Sequence, residues 1–542
     1  MRKPLLIALT GALACAALWS ADWPTRSGSP QRDGWARAEK SFTTDNVNGL
    51  QLLYKYKADN RSRGMYSLTA PIVNGFLITY LGFKEMLVFA GSDDNVYSVD
   101  ADLNRLIWKT HFDYKGGKPQ SKASTVTCPG GLTASAAMAG SASAVFSFGR
   151  KPPKKGKKSP VGGSGFGSLG AFFAVSSDGY LHTLNTSTGG DLIAPVQLVP
   201  PNSNVRSLNV EDNVVYAATV GDCGGAPNAL YAVDVSEENK KAVSFATNGS
   251  GISGVGPAVG TDGTVYAQIA SGHGDLAGEY HDTVLALSGA DLKVKDYFTP
   301  SGDAAASKSW AHAGVTPLIF SWKGKDVVVA GASDGRLYLL HADSLGGTGH
   351  HTPAFRTEPI ASTDKGGEGH GFRGAFSSWF DSDSGTRWVY ASLSGPPNPA
   401  FKFPIENGDA SKGSVVAFKV EEKDGQTMLT PAWISASVPS PAPVVTANGV
   451  VFALATGTPA STVRPDGKPY AAAALQKAST RATLYALDAA TGKQLYSSGT
   501  TVSGHAAGSG LAVANGRIYF ATSDNTVYCF GFLKEHPQLT EQ

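Results

Sequence analysis

The chain has 542 residues, of which 42% are hydrophobic and 17% charged, and its formal net charge is +2. That length and apolar content support a large buried core and exclude a disordered chain, while the near-balanced charge gives no reason to expect nucleic acid or an anionic membrane surface as partner. The 64 glycines and 30 prolines are spread without a collagen period, which points to many tight turns between short strands and so to an all-β fold.

The first residues, MRKPLLIALTGALACAALWSADWP, place Arg2 and Lys3 before an apolar run from Leu5 to Leu18. This is the pattern of a secretory signal peptide, assigned to residues 1–21, and the run is too short for a membrane span. No later segment has the uninterrupted apolar length a bilayer needs. The expectation is a periplasmic or secreted monomer without a transmembrane anchor. Residues 22–48 form a lead-in segment, and LQLLYKYKA from Leu50 to Ala58 reads as an isolated strand.

From there one short pattern recurs: an apolar strand, a turn rich in Asp, Asn and Gly, a second strand of the form LYALD, then a polar turn and an outer strand. It occurs as VFAGSDDNVYSVD from Val88, FFAVSSDGYLHTLN from Phe172, and VVYAATV with ALYAVD from Val214. It returns as TVYAQIA with TVLAL from Thr264, VVVAGASDGRLYLLH from Val327, and WVYASLSG from Trp388 with GSVVAFKV from Gly413. The last two are VVFALATG from Val450 with ATLYALD from Ala482, and RIYFATSDNTVYCF from Arg517. Asp-Gly and Asp-Asn supply the positive φ that a two-residue hairpin requires. Further turns upstream, such as VNG at Val73, TDG at Thr261 and ANG at Ala447 and Ala514, add an inner strand to each unit. Four antiparallel strands per unit, repeated eight times, predict an eight-bladed β-propeller over residues 49–533, with 534–542 a C-terminal tail. The final unit ends at VYCFGF without an outer strand, so the isolated strand near Leu50 is expected to complete it and close the ring.

The LYALDAATGK element, the Trp ending the outer strand at Trp108, the eight units and the opening DWPTRSGSPQRDGW, Asp22 to Trp35, resemble the pyrroloquinoline quinone (PQQ) repeats of the quinoprotein alcohol dehydrogenase-like propellers. The resemblance covers nearly the whole chain after the signal. It implies PQQ, held with calcium, as a cofactor, and oxidation of alcohols or sugars as an activity; the same family includes propellers that assemble proteins and bind no quinone. The chain departs from the enzyme pattern in having no Cys-Cys pair and no CxxCH haem motif, and Phe245, Phe298 and Tyr496 replace the outer-strand Trp in several units.

In a propeller, interblade connections and the loops between second and third strands emerge on one face. Here those long loops are 271–282, 395–413 and 457–481. The interblade connections bring His312 and Trp310 (SWAHAG), His370 and Arg373 (GEGHGFRG), His505 (VSGHAAG) and Arg206 to the same face, with Arg63, Tyr66 and Asn209 in comparable positions. Trp310 could cover a planar ligand, and the cationic and hydrogen-bonding groups suit an anionic quinone. Each histidine can equally tie a glycine-rich turn to a carbonyl. In GHGDLAGEYHD, which also carries His273 and His281, Asp275, Glu279 and Asp282 offer carboxylates to a divalent cation such as calcium, or simply form a solvated loop.

Cys128 and Cys223 lie at the tops of neighbouring units, and an exported protein would join them in a disulfide, leaving Cys529 as a buried thiol. The basic insertion Gly149 to Gly170 falls on the opposite face as a mobile loop. Two functions follow: a quinoprotein-like oxidoreductase with a small-molecule ligand in its funnel, or a non-catalytic scaffold presenting the loop-rich face to a protein or polysaccharide. No hydrolase motif stands at a recognisable spacing.

Overall fold

In the computed structural model, residues 21–79, 82–114, 128–139, 170–237, 239–247, 251–269, 280, 282–300, 314–332, 334–362, 370–460 and 470–533 are described. All of the signal peptide except Ala21, all of the basic insertion except Gly170, and the tail therefore lie outside the described residues. No helix among the described residues is long and apolar enough to cross a membrane.

Alternating strands and Asx-Gly turns produce what the repeat implies, antiparallel meanders in a propeller arrangement. The first runs Ile72–Thr79, Gly82–Gly91, Asn95–Asp100 and Arg105–His111, each strand hydrogen-bonded to the next. Among the described residues the strands form eight sheets, six of them four-stranded. The expectation of uniform four-stranded units needs correcting at the other two. One has five strands because its inner strand is broken into Asn204–Val205 and Asn209–Glu211. The other has seven because its inner strand is broken into Gly371–Ala375 and Ser377–Asp381, because Gly314–Thr316, belonging to the preceding inner strand, pairs in parallel with Gly371–Ala375, and because Ile405–Glu406 pairs in parallel with Gln426–Ile434. Inner strands crowd toward the axis, so two neighbours can bond directly.

Gln51–Lys57 pairs antiparallel with Thr526–Gly531, from Gln51 opposite Gly531 to Lys57 opposite Thr526. An N-terminal strand thus covers the edge of the C-terminal sheet, which would otherwise offer unpaired N–H and C=O groups.

Side chains of one sheet pack against the next, and the outer-strand Trp shows why the repeat has its wording. The Trp108 indole donates from Nε1 to the Thr186 carbonyl of the following sheet at 2.9 Å. Its ring lies where a Cβ on Gly189 would stand, 2.4 Å from Cε3. The arrangement recurs at Trp433, an outer-strand Trp that the repeat reading passes over: Nε1 donates to the Ala489 carbonyl at 3.0 Å, and a Cβ on Gly492 would meet Cε3 at 2.3 Å. Both glycines have positive φ, 71° and 74°. The TG turn is therefore a socket for the preceding sheet's indole, and only glycine satisfies both the backbone and the ring.

The lead-in segment is not a tail. It threads the inner strands in chain order, touching every sheet. Ala21 donates to Asn515 Oδ1 at 2.8 Å, and Trp23 exchanges two backbone bonds with Val73. Pro24 accepts from Met138, and Thr25 donates to the Leu208 carbonyl at 2.8 Å. Pro30 accepts from Val259, Gln31 from Ile319, Asp33 from Ser378 and Gly34 from Thr446. Glu39 returns to the last sheet, accepting from the Gly516 amide at 2.7 Å. Val73, Thr446 and Asn515 all lie beside the first hairpin of their sheets. The segment therefore runs along the inner strands beside their first hairpins, on the side away from the long loops.

Candidate functional site

The side chains that meet the lead-in segment at the inner strands set the chemistry of the axis. Four arginines dominate. Arg32, from the lead-in segment, is fully buried. It donates to Thr25 Oγ1 at 2.7 Å and to the carbonyls of Pro257 at 3.2 Å, Ser207 at 3.1 Å and Leu208 at 3.0 Å, with a further bond to the Arg26 carbonyl. All its acceptors are neutral, and burial, with Arg26 nearby, pushes its pKa down to about 9. Its role is to pin the lead-in to the 204–246 and 258–298 sheets. Asn209 does the same, donating to the carbonyls of Pro30 at 2.8 Å and Pro257 at 3.0 Å.

Arg26, Arg206 and Arg373 differ from Arg32. Each is half-buried, and the Nε of each is sealed from solvent with no hydrogen-bond partner among the described residues. Arg26 reaches up the channel to donate from Nη2 to the Ser509 carbonyl at 2.8 Å. Burial first, then the charge of Arg206, pushes its pKa down to about 10. Burial also lowers that of Arg206, with the Tyr66 phenol opposing, and brings that of Arg373 to about 10. All remain cationic at neutral pH. Among the described residues no carboxylate contributes to the electrostatics of these three guanidiniums.

His370 stands beside Arg373, and burial, then that positive charge, lowers its pKa. His505 is buried, its pKa is lowered by burial, and neither ring nitrogen has a hydrogen-bond partner among the described residues. Both imidazoles are neutral at pH 7. Arg63 is committed to the wall, donating from Nε to the Ser92 carbonyl at 2.9 Å. Tyr66 lies at the rim, its ring 3.4 Å from where a Cβ on Gly508 would stand. It packs with Met65 against the two-turn helix Ala472–Ala478 of the long 457–481 loop.

His312, Trp310, Asp275 and Glu279, with His273 and His281, lie outside the described residues. Asp282 accepts from Gln268 Nε2 at 3.2 Å. Among the described residues no group of three His, Cys, Asp or Glu is placed to hold a metal ion. Cys128 and Cys223 are joined in a disulfide with Cα atoms 5.5 Å apart, tying the 128–139 connection at the loop-rich face to the 204–246 sheet. Cys529 is a free, fully buried thiol. The residues that sequence reasoning missed are Arg26 and Arg32. Both are visible in TRSGSPQRDGW, yet nothing in their spacing tells that this segment runs along the inner strands.

One arrangement elsewhere imitates a hydrolase. His182 Nδ1 lies 3.1 Å from Asp191 Oδ2, and its Nε2 lies 3.2 Å from Ser176 Oγ. The serine is buried and donates to Asp178, and the Phe112 ring stacks on the imidazole with centroids 3.8 Å apart. A substrate carbonyl has no approach to that oxygen, so the group serves as a polar tie inside its sheet. A groove of about 190 Å³ lined by Asn407, Val438, Tyr485, Gly492 and Lys493 opens on the outer rim. It lies away from the channel, and the Trp433–Gly492 socket explains it as a by-product of packing.

Comparison with known proteins agrees with the repeat reading. A family model described as outer membrane protein assembly factor BamB matches residues 411–532. No curated protein matches the chain. The solved structure of quinohemoprotein alcohol dehydrogenase from Comamonas testosteroni is similar, with 14% identity and a TM-score of 0.57, over 98% of this chain and 84% of that one. Quinohemoprotein alcohol dehydrogenase ADHIIG from Pseudomonas putida HK5 follows at 12% and 0.55, over 96% and 82%. A europium-containing methanol dehydrogenase gives 10% and 0.55, over 94% and 98%. At these identities the likeness to the dehydrogenases is one of fold. The chain is a β-propeller similar to the PQQ-repeat propellers, by a family model over its last sheets and by architecture over nearly its whole length.

Proposed function

We propose that the chain is an exported eight-bladed ring, closed by the strand Gln51–Lys57, whose axial channel binds an anionic small molecule at the loop-rich face, with PQQ-type quinones as the ligand class and alcohol or sugar oxidation as the activity. The eight sheets and the pairing of that strand with Thr526–Gly531 support the ring. The observation that carries the ligand reading is the set of half-buried arginines beside the inner strands, unpaired by any carboxylate among the described residues. Cations kept out of water without counter-charges are costly, and a bound anion offsets that cost.

The donor set fits the acid groups of a quinone carboxylate: Arg373 and Arg206 would hold carboxylates, with Trp310 and His312 bordering the ring. Bound PQQ supplies two-electron oxidation of an alcohol. The chain's own residues would orient the ligand, and neutral His370 and His505 are available to accept a substrate hydroxyl proton. A calcium ion beside it would draw oxygen ligands from Asp275, Glu279 and Asp282.

Adding PQQ and calcium to the purified protein is expected to produce a quinone absorbance band and raise the melting temperature by ligand linkage. Arg373→Gln should weaken both responses, and dye reduction with simple alcohols or sugars should follow loading. No band and no thermal shift would overturn the quinone reading. A scaffold function is the second reading, favoured by the match of residues 411–532 to a model named for an assembly factor and by the 457–481 loop with its helix standing on the rim.

A further inference from the structure

The channel arginines do not form one layer. Arg32 is saturated by carbonyls, whereas Arg26 and Arg206 stand above it with unspent donors. Arg26 uses one nitrogen on Ser509, and the Arg206 guanidinium makes no hydrogen bond among the described residues. The two guanidiniums lie within electrostatic range of each other, and the Tyr66 hydroxyl lies within range of both. They come from three distant parts of the chain: the lead-in segment, the connection before Asn209–Glu211, and the connection before Ile72–Thr79. The Arg32 Nη2 and the Arg206 Cβ both border Gly256, 3.7 and 3.5 Å from where its Cβ would stand, which joins the two layers. Folding therefore brings two like charges within range of each other and of a phenol, with Arg26 on Ser509 and the Tyr66 ring beside Gly508, and no acid among the described residues acts on either charge. Such a group is unfavourable by itself and becomes favourable around a shared oxyanion.

We propose that Arg26, Arg206 and Tyr66 form an oxyanion subsite that receives one carboxylate or phosphate group of the ligand. The proposal rests on the reading of the channel as a ligand site and deepens it. It makes the N-terminal segment part of the binding surface, so an anion that fills the subsite also fastens that segment to the ring.

The test is a titration of the full chain with inorganic phosphate and, separately, with citrate, followed by calorimetry and by melting temperature. Arg206→Gln is expected to weaken binding of at least one of the two about 10- to 100-fold, as loss of a charged hydrogen-bonding partner does. It should also raise the melting temperature of the ligand-free protein, because a like-charge contact is removed. A merely structural arginine would lower that temperature instead. Arg26→Gln and Tyr66→Phe should weaken the same anion, the latter less. Arg206→Lys keeps the charge and should retain part of the affinity.

If phosphate alone responds, the subsite takes phosphoryl groups; if citrate alone, carboxylates. Unchanged titrations in Arg206→Gln and Tyr66→Phe would overturn the proposal, and so would a wild-type protein that binds neither anion. The quinone reading fails separately. Phosphate or citrate binding lost in Arg206→Gln with no response to PQQ keeps the subsite and removes the quinone. PQQ binding that is insensitive to Arg26→Gln and Arg206→Gln but lost in Arg373→Gln does the reverse.

Discussion

Individual residues in this ring are understood by what the next sheet does with them. Gly492 and Gly425 have nearly the same φ, 74° and 77°, and both sit in turns that join two strands. A Cβ on Gly425 would meet nothing within 4 Å, whereas one on Gly492 would stand 2.3 Å from the Trp433 ring. Gly425→Ala should therefore cost only the left-handed backbone penalty, about 1–2 kcal/mol. Gly492→Ala adds displacement of a buried indole and its hydrogen bond to Ala489, for a total of about 3 kcal/mol or more. Denaturant unfolding of the two variants checks this, and equal losses would show that the indole socket contributes nothing. The word TG at residues 491–492 is legible in sequence as a turn. That it is a socket is not legible, because the ring that fills it is about 60 positions earlier.

At the scale of elements, the two N-terminal pieces divide the work of closure. The strand Gln51–Lys57 supplies the outer edge of the last sheet, while residues 21–39 run along the inner strands and bind each sheet in turn. Removing residues up to Arg37 leaves the edge strand in place, and the expected result is a ring that still folds, with a lower melting temperature and no anion-dependent thermal shift. Removing residues up to Ala58 also exposes the whole edge of Thr526–Gly531, and the expected result is loss of cooperative melting, with aggregation through that edge. Melting both proteins beside the full chain checks the difference; a protein lacking residues 1–58 that melts cooperatively at the parent temperature would contradict it. The strand was readable as an unpaired alternating run facing a unit that lacked one strand. The lead-in was not, since a segment of Pro, Gly, Ser and Arg carries no periodicity, and its bonds are made by backbone groups whose partners are scattered over the chain.

For the molecule as a whole, the seam between first and last sheets is where a titratable group bears on stability. Glu85, from the first sheet, accepts from Arg517 Nη1 at 3.0 Å and from the Tyr519 hydroxyl at 3.1 Å, both in the last sheet. Burial nevertheless pushes its carboxyl up to about 7, against the pull of Arg517 and from an ordinary value of 4.5. In the pH interval from 4.5 to 7 the folded protein keeps a proton that the unfolded chain has released. Stability must then fall as pH rises through that interval, by an amount on the order of 3 kcal/mol at most. Glu85→Gln, which keeps the shape and cannot ionise, should flatten this part of the profile. Unfolding free energies of both proteins between pH 4.5 and 8 decide it, and parallel profiles would exclude Glu85 as the source.

Local physics made much of this protein readable from its sequence. Strand alternation, Asx-Gly turns and the repeated LYALD strand need only neighbouring residues, so the all-β class, the repeating unit and the likeness to PQQ-repeat propellers were all legible. Tertiary structure alone decided what the arginines face. It laid the lead-in along the inner strands of every sheet. It saturated Arg32 with carbonyls while leaving Arg26 and Arg206 with unspent donors, and it covered the Ser176–His182–Asp191 group with Phe112. The reason is one of distance along the chain: charge pairing and burial are sums over residues hundreds of positions apart, which no pattern of adjacent letters records.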